Sequence, residues 1–279
     1  MKKFMIRCDI EGVSGVVSYE QAEPGKPEYA FGQKMFMADL QALLNGLNAG
    51  GAEEIVIYDE HYYGRNIDIE TLPQNTTAIC GKPPYRPDWA GGLDATLTGV
   101  ILLGFHSKFG TPDAMLHHTY ELDIKNLLLN GVSVGEIGME AAIAGDYNVP
   151  VLMVTGDSAG IFEAENLLPG VIGVKVKDSI NEHGGICYPL SVTTEKIKSV
   201  AINIAQTPPQ VAPYKVGNDV TLEVELNEGS YLTSISDLFA EEMSKDNTLI
   251  IKGVSATDVW SKYWKKKVSA QHNIQKRVK

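Results

Sequence analysis

The sequence is poor in cysteine: Cys8, Cys80 and Cys187 are the only three in 279 residues. An odd count at such wide spacing excludes a disulfide framework and a cysteine-rich zinc site, and it suits a reducing compartment. Long apolar runs are also missing. Met1-Lys2-Lys3 opens like a signal n-region, but only Phe4-Met5-Ile6 follow before Arg7 and Asp9 intervene. That is too short for a signal h-region or a membrane span, so a cytoplasmic protein is expected. Positive charge is in deficit, with 24 Lys and Arg against 35 Asp and Glu and a formal net charge of −11. Such a chain repels phosphate backbones, so nucleic acid is not an expected partner, and no membrane is expected either. No Walker loop and no G-x-G-x-x-G fingerprint is present, which leaves nucleotide binding without a motif. What remains is ordinary for a globular protein, at 44% hydrophobic and 21% charged residues, and long enough for a large core.

The chain reads as an α/β protein. Lys3 to Glu11 forms a first strand, and a loop with Pro24 and Pro27 follows. Phe31, Met35, Ala38, Ala42 and Leu47 recur at near-helical spacing, giving a helix from about 28 to 49 that Gly50-Gly51 ends. Glu54 to Asp59 is the next strand, so the unit is strand–helix–strand and its strands pair in parallel. Residues 64–95 are rich in Asn, Pro, Gly and Asp and read mostly as loop. Gly99 to Phe105 is continuously apolar, as suits a strand covered on both faces. Leu127 to Val134 reads as a hairpin around Asn130-Gly131, with a helix starting near Glu136 and a further strand from Val149 to Thr155. Beyond about residue 190 the character changes. Glu195 to Ala205 looks helical, Pro208-Pro209 interrupts, and Val220 to Leu226 alternates like a half-exposed strand. Seven Lys or Arg and no acid fall in the last eighteen residues, the solvated basic face of a terminal helix. The expected organisation is a catalytic core over 1–190 and a smaller α+β subdomain over 191–279, packed on the core.

Ligands of open α/β sheets collect at the carboxyl ends of strands. Here those ends carry Asp9 and Glu11, then Asp59-Glu60-His61, then His106. Any one of these alone is more often a solvated strand end or an ordinary histidine. Together they form a carboxylate–imidazole set that suits zinc, manganese or cobalt. Two carboxylates and two histidines exceed the three protein ligands of a single catalytic ion, which points to a two-metal site bridged by an Asp. His117 and His118 are adjacent after Gly110-Thr111-Pro112-Asp113 and are either an acid/base group or a surface pair. In isolation Glu136 reads as favourable charge at a helix start and Asp157 as an N-cap. Gly131-Val132-Ser133-Val134-Gly135 matches a nucleophile elbow, but Asn130-Gly131 is the better hairpin turn and only His183 and His272 remain downstream.

Taken in order, several stretches resemble the bacterial D-aminopeptidases, a family of self-compartmentalising dinuclear zinc peptidases. They are Asp9-Ile10-Glu11-Gly12-Val13-Ser14-Gly15, Asp59-Glu60-His61, Leu103-Gly104-Phe105-His106, Thr111-Pro112 through Met115 to His117, Gly135-Glu136-Ile137-Gly138, and Pro150 to Val154 with Gly156-Asp157. They cover about residues 3 to 175. The resemblance implies two Zn²⁺ per subunit, with Asp9 bridging, Glu11 and His106 completing one site, and His61 and Glu136 completing the other. It puts His117 at the family's catalytic histidine and implies a homodecamer whose inner chamber admits short peptides. Leu116 stands where the family has a small polar residue, and His118 is an addition. Only one of the two histidines can face inward, and counting from His106 favours His117. Tyr62-Tyr63-Gly64-Arg65 also departs from the family and is expected to line the substrate pocket. The expected function is removal of the N-terminal residue from short peptides, of D-Ala type. The alternatives are another metal-dependent amide or ester hydrolase and a non-catalytic metal- or peptide-binding protein.

Overall fold

A computed structural model describes residues 2–278 except 84, 87 and 245. Its strands are β1 (Lys3–Cys8), β2 (Glu54–Asp59), β3 (Thr76–Ile79), β4 (Gly99–Phe105), β5 (Ile124–Leu129), β6 (Val132–Ser133), β7 (Val151–Asp157), β8 (Ile172–Asn181), β9 (Gly184–Cys187), β10 (Val220–Leu226) and β11 (Thr248–Gly253). Its α-helices are α1 (Tyr19–Ala22), α2 (Tyr29–Ala49), α3 (Glu136–Asp146), α4 (Ser158–Leu167), α5 (Leu190–Gln206), α6 (Ser230–Leu238) and α7 (Ala256–Val278). The large sheet runs β3-β2-β1-β4-β7-β8-β9, parallel throughout except for β9. This is the expected α/β class with a largely parallel central sheet.

Alternation along each central strand divides the core. Even-numbered β1 residues Phe4, Ile6 and Cys8 meet Phe36, Leu40, Leu43 and Leu47 of α2 and Ile197, Ala201 and Ile204 of α5. Met5 faces the other way, into the core shared by α3, α4, α7 and the small sheet. Because both faces are covered, the strands read as unbroken apolar runs. Each fully buried Leu, Ile or Phe stabilises the fold by about 1.5–3 kcal/mol.

A second sheet, β11-β10-β5-β6, is antiparallel. Asn130 and Gly131 both take positive φ, 49° and 77°, the geometry of a tight hairpin turn between β5 and β6. The division expected at residue 190 does not follow these layers. The β5–β6 hairpin comes from within the first 190 residues and pairs with β10, while α5, from beyond 190, packs on α2 against the large sheet. β5 pairs with β10 edge to edge, and the apolar face the two strands share, with Leu127, Leu129, Leu222 and Val224, packs in one core with Val259, Trp260 and Tyr263 of α7. In the stretch read as loop, Thr76–Ile79 adds β3 at one edge of the large sheet.

Candidate metal centre

The chain builds outward from β1 to β2 and β3, then returns to the other side of β1 with β4. The reversal makes a switch point between β1 and β4, where open α/β sheets leave a crevice at the carboxyl edge. Asp9 follows β1, His106 follows β4, and His61 lies two residues beyond β2. The strand ends are drawn tightly together. The Asp9 amide donates to the Leu103 carbonyl at 2.8 Å, and the Gly12 amide donates to the Gly104 carbonyl at 2.7 Å. Side chains would prevent this approach. A Cβ at Gly12 would stand 2.0 Å from the Phe105 carbonyl oxygen, and one at Gly104 (φ +76°) would stand 2.3 Å from that of Asp9.

Asp9 sits at the centre. Its Oδ1 is 2.8 Å from His61 Nδ1, and its Oδ2 is 3.3 Å from His106 Nε2. Glu11 Oε2 is 3.1 Å from the same His61 nitrogen. Glu136, the first residue of α3, places Oε1 3.4 Å from His106 Nε2 and 3.7 Å from His118 Nε2. All are buried except His118, which is half-buried. Two groups result, each with its donor atoms within 4.8 Å of one another: Asp9, Glu11 and His61, and His106, His118 and Glu136. The resemblance implied the other pairing, Glu11 with His106 and His61 with Glu136. The structure differs because α3 packs beside β4, which sets Glu136 against His106, while Glu11 stays on the His61 side.

Each imidazole is oriented from behind. His61 Nε2 meets the Ala22 carbonyl at 2.7 Å, His106 Nδ1 meets Ser107 O at 2.9 Å, and His118 Nδ1 meets Leu116 O at 2.9 Å. A carbonyl accepts only a proton, so those nitrogens carry N–H and the opposite ones can turn lone pairs toward the carboxylates. His106 Nε2 and Glu11 Oε2 are buried without a hydrogen bond. Lone pairs facing one another at such distances repel unless a cation lies between them, and this donor set fits divalent metal. In the metal-free protein, protons take that place. Burial lowers the His61 pKa, but Glu11 and Asp9 outweigh it and hold it well above the usual imidazole value. Burial and then Glu136 and Asp9 act likewise on His106, again with a net rise. Burial raises Asp9, yet its bonds to His106 and His61 leave it well below the carboxylate range.

The loop between β4 and β5 orients the histidine pair differently from the strand count. His118 is the inward residue: its ring stacks on His106 at 4.1 Å and 9°. His117 lies outside the carboxylate groups, where its Nδ1 accepts the Gly110 amide at 3.0 Å and its ring edge meets Phe109. Burial pushes its pKa down. Counting failed because this segment is no strand. Asp113, Leu116 and Tyr120 all take positive φ, at 56°, 50° and 59°. Non-glycine residues held there cost about 1–3 kcal/mol each, and such strain concentrates at functional sites.

Other neighbours had weaker sequence signals. Tyr120 donates its amide to Glu136 Oε1 at 2.7 Å and its hydroxyl to Glu140 Oε1 at 3.0 Å. Tyr19 sets its ring 5.9 Å from His118, and Tyr62 its ring 5.4 Å from His61. Asp157 caps α4 as expected, accepting the Gly160 amide at 3.0 Å. Ser133 lies in the hairpin and donates to Asn126 Oδ1 at 2.7 Å, so the elbow motif is a turn.

A buried carboxylate–imidazole double cluster at the switch point of an open parallel sheet is the donor set of a metal-dependent hydrolase. Comparison narrows the class. The chain belongs to the D-aminopeptidase family, whose model matches residues 1–262. It is 32% identical to the D-aminopeptidase of Bacillus subtilis (strain 168) over 186 residues, 66% of this chain and 67% of that protein. A solved structure, the Zn-dependent D-aminopeptidase DppA from Bacillus subtilis, described as a self-compartmentalizing protease, shares the fold. It superposes with a TM-score of 0.89 at 24% identity, over 96% of this chain and 98% of that one.

Proposed function

We propose that this protein is a zinc-dependent aminopeptidase that removes the N-terminal residue from short D-amino-acid peptides, with two ions per chain. The observation that carries this is Asp9, whose two oxygens face two different imidazoles, each already beside a further carboxylate. That is the arrangement of a bridging ligand. Asp9, Glu11 and His61 would hold one ion, and Asp9, His106 and Glu136 the other. Three protein ligands per ion leave positions open for water and substrate. Held there, the ions would supply Lewis acidity for a scissile carbonyl and a water made nucleophilic at neutral pH.

The chain's own residues do the rest. His118 is left over from both three-ligand sets and is the one imidazole of the centre that is only half-buried. With Nδ1–H tied to Leu116 O, its Nε2 is free to take a proton and pass it to the departing amine. Glu136, held by the Tyr120 amide, stands 3.7 Å from that nitrogen, where its charge favours the ring once it has taken the proton. Among the described residues no helix is long and apolar enough to cross a membrane. We place the enzyme in the cytoplasm as a closed homo-oligomer, a decamer, whose chamber restricts substrates to short peptides. Exposed Phe162, Ile180 and Ile186 offer apolar surface for such contacts.

Turnover of a chromogenic D-Ala amide, measured with and without a chelator, tests the reading. Chelator-sensitive hydrolysis is expected, with about two ions per chain by metal analysis. Hydrolysis of simple esters but no aminopeptidase activity would favour the broader hydrolase, and bound metal without any turnover a binding protein. A protein that binds no ion after zinc reconstitution would sink the proposal.

A further inference from the structure

Lys177 lies on β8, separated from β1 by β4 and β7, yet its side chain reaches back to the metal centre. The residue is 1% exposed. Its Nζ donates to the carbonyls of Glu11 at 2.5 Å, Val13 at 3.0 Å and Val16. An ammonium has three N–H groups, and here each finds one carbonyl of a single loop. Among the described residues no carboxylate hydrogen-bonds to it, although a fully buried charge normally has such a partner. Its position therefore needs an explanation beyond ion pairing, and the loop supplies it.

Residues 11–16 are gripped from three sides. The Gly12 amide donates to Gly104 O on β4. The Ser14 amide and hydroxyl donate to Asp39 of α2, each at 2.8 Å. Lys177 holds the carbonyl side. Glu11 stands at the head of this loop, with its carboxylate 3.1 Å from His61 Nδ1. The turn that aims that carboxylate converges three carbonyl dipoles, which repel one another unless a cation sits among them.

We infer that Lys177 is a positioning residue: its ammonium is a built-in cation around which the 11–16 loop folds, and it thereby sets the Glu11 carboxylate for the metal at Asp9, Glu11 and His61. This rests on the metal-binding reading given above.

The test uses cobalt(II) titration of the full-length metal-free protein, read by visible absorbance and metal count, so that turnover is not needed. Wild type should take two ions. Lys177→Met, an apolar near-isostere, should stay folded by circular dichroism and bind one ion normally and the other roughly 10–100-fold more weakly, the range for loss of a group that orients a ligand. Its spectrum should match that of Glu11→Gln, which damages the same group directly. Lys177→Ala should be weakened likewise and regain its second ion with n-propylammonium, which replaces the missing atoms including the charge. The neutral 1-propanol should not restore it. Should Lys177→Met fail to fold, Lys177→Arg keeps the charge but spreads its donors over a planar fork. It should bind the second ion more tightly than Lys177→Gln, which offers a donor without the charge, and equal affinity in the two overturns the inference. Two ions bound by Lys177→Met with native affinity and spectrum, or equal rescue by propanol, also overturn it while the metal centre stands. Wild type binding no cobalt overturns the metal-centre reading and this inference with it.

Discussion

Replacing His118 by alanine removes a ring stacked on His106 at 4.1 Å and a nitrogen 3.7 Å from Glu136 Oε1. It leaves Asp9, Glu11, His61, His106 and Glu136 in place, so both three-ligand sets remain complete. The variant should therefore keep its two ions. Its turnover should fall by about 10²–10⁴-fold, the usual worth of a positioned acid or base. That is about 2.7–5.4 kcal/mol of transition-state stabilisation. His117→Ala removes an acceptor for the Gly110 amide and an edge contact with Phe109. It should cost about 1 kcal/mol of stability, as for one ordinary hydrogen bond, with little effect on rate. The assay is kcat/KM on a D-Ala amide, with metal content measured on the same samples. Near-native turnover in metal-loaded His118→Ala would refute the assignment. Loss of an ion from that variant would instead make His118 a ligand, and a dead His117→Ala would return the role to the outer histidine.

Zinc should reverse the pH dependence of stability. In the metal-free protein, His61 and His106 have raised pKa values, because the carboxylates outweigh the lowering effect of burial. Their contribution is then complete below the unfolded value of about 6.5 and lost as pH rises through the raised values. In the zinc form those protons are displaced and acid displaces the ions, so stability should fall toward low pH; thermal melts of both forms check this, and parallel slopes would contradict it. Arg7→Met should cost about 3–5 kcal/mol in urea unfolding, because Glu140 stays buried without its cation, while half-buried Glu60 keeps Lys82. A loss below about 1 kcal/mol would mean that water or protons already screen the pair. Light scattering at micromolar concentration should give a mass many times that of one chain, and a monomer would remove the chamber from the proposal.

The sequence was legible where local pattern and burial agree. Glu54–Asp59 and Gly99–Phe105 occupy the expected residues because apolar runs bounded by Gly or Asp leave little freedom of register. The strand ends followed, and with them Asp9, His61 and His106. Partners that meet through the third dimension were not legible. Nothing near Glu11 announces Lys177, which stands 166 residues away. Thr76–Ile79 has no flanking pattern, and β2 alone makes it a strand. The pairing of Glu136 with His106 depends on which side of β1 the helix α3 packs, and no local pattern records that. His118 escaped because Leu116 turns into a left-handed conformation just before the histidine pair, so strand counting no longer applies.

One geometric match links the buried ion pair to the site. Arg7 and Asp9 are two residues apart at the end of β1, about 6.6 Å along a strand. Glu136 and Glu140 are four apart on α3, about 6 Å along a helix. The helix therefore presents two carboxylates in step with the strand. Glu140 meets Arg7, and Glu136 meets His106, which in turn faces Asp9. Tyr120 ties the two rungs together, with its amide on Glu136 and its hydroxyl on Glu140. The lower rung is a permanent ion pair, closed off by Tyr85 and the Ala90 carbonyl. The upper rung has two carboxylates facing imidazole lone pairs and no resident cation of its own. Arginine fixes the helix at the height where Glu136 reaches the strand end, and the charge that completes the upper rung is a proton on His106 in the metal-free protein. In the function proposed above, a metal ion would take that place.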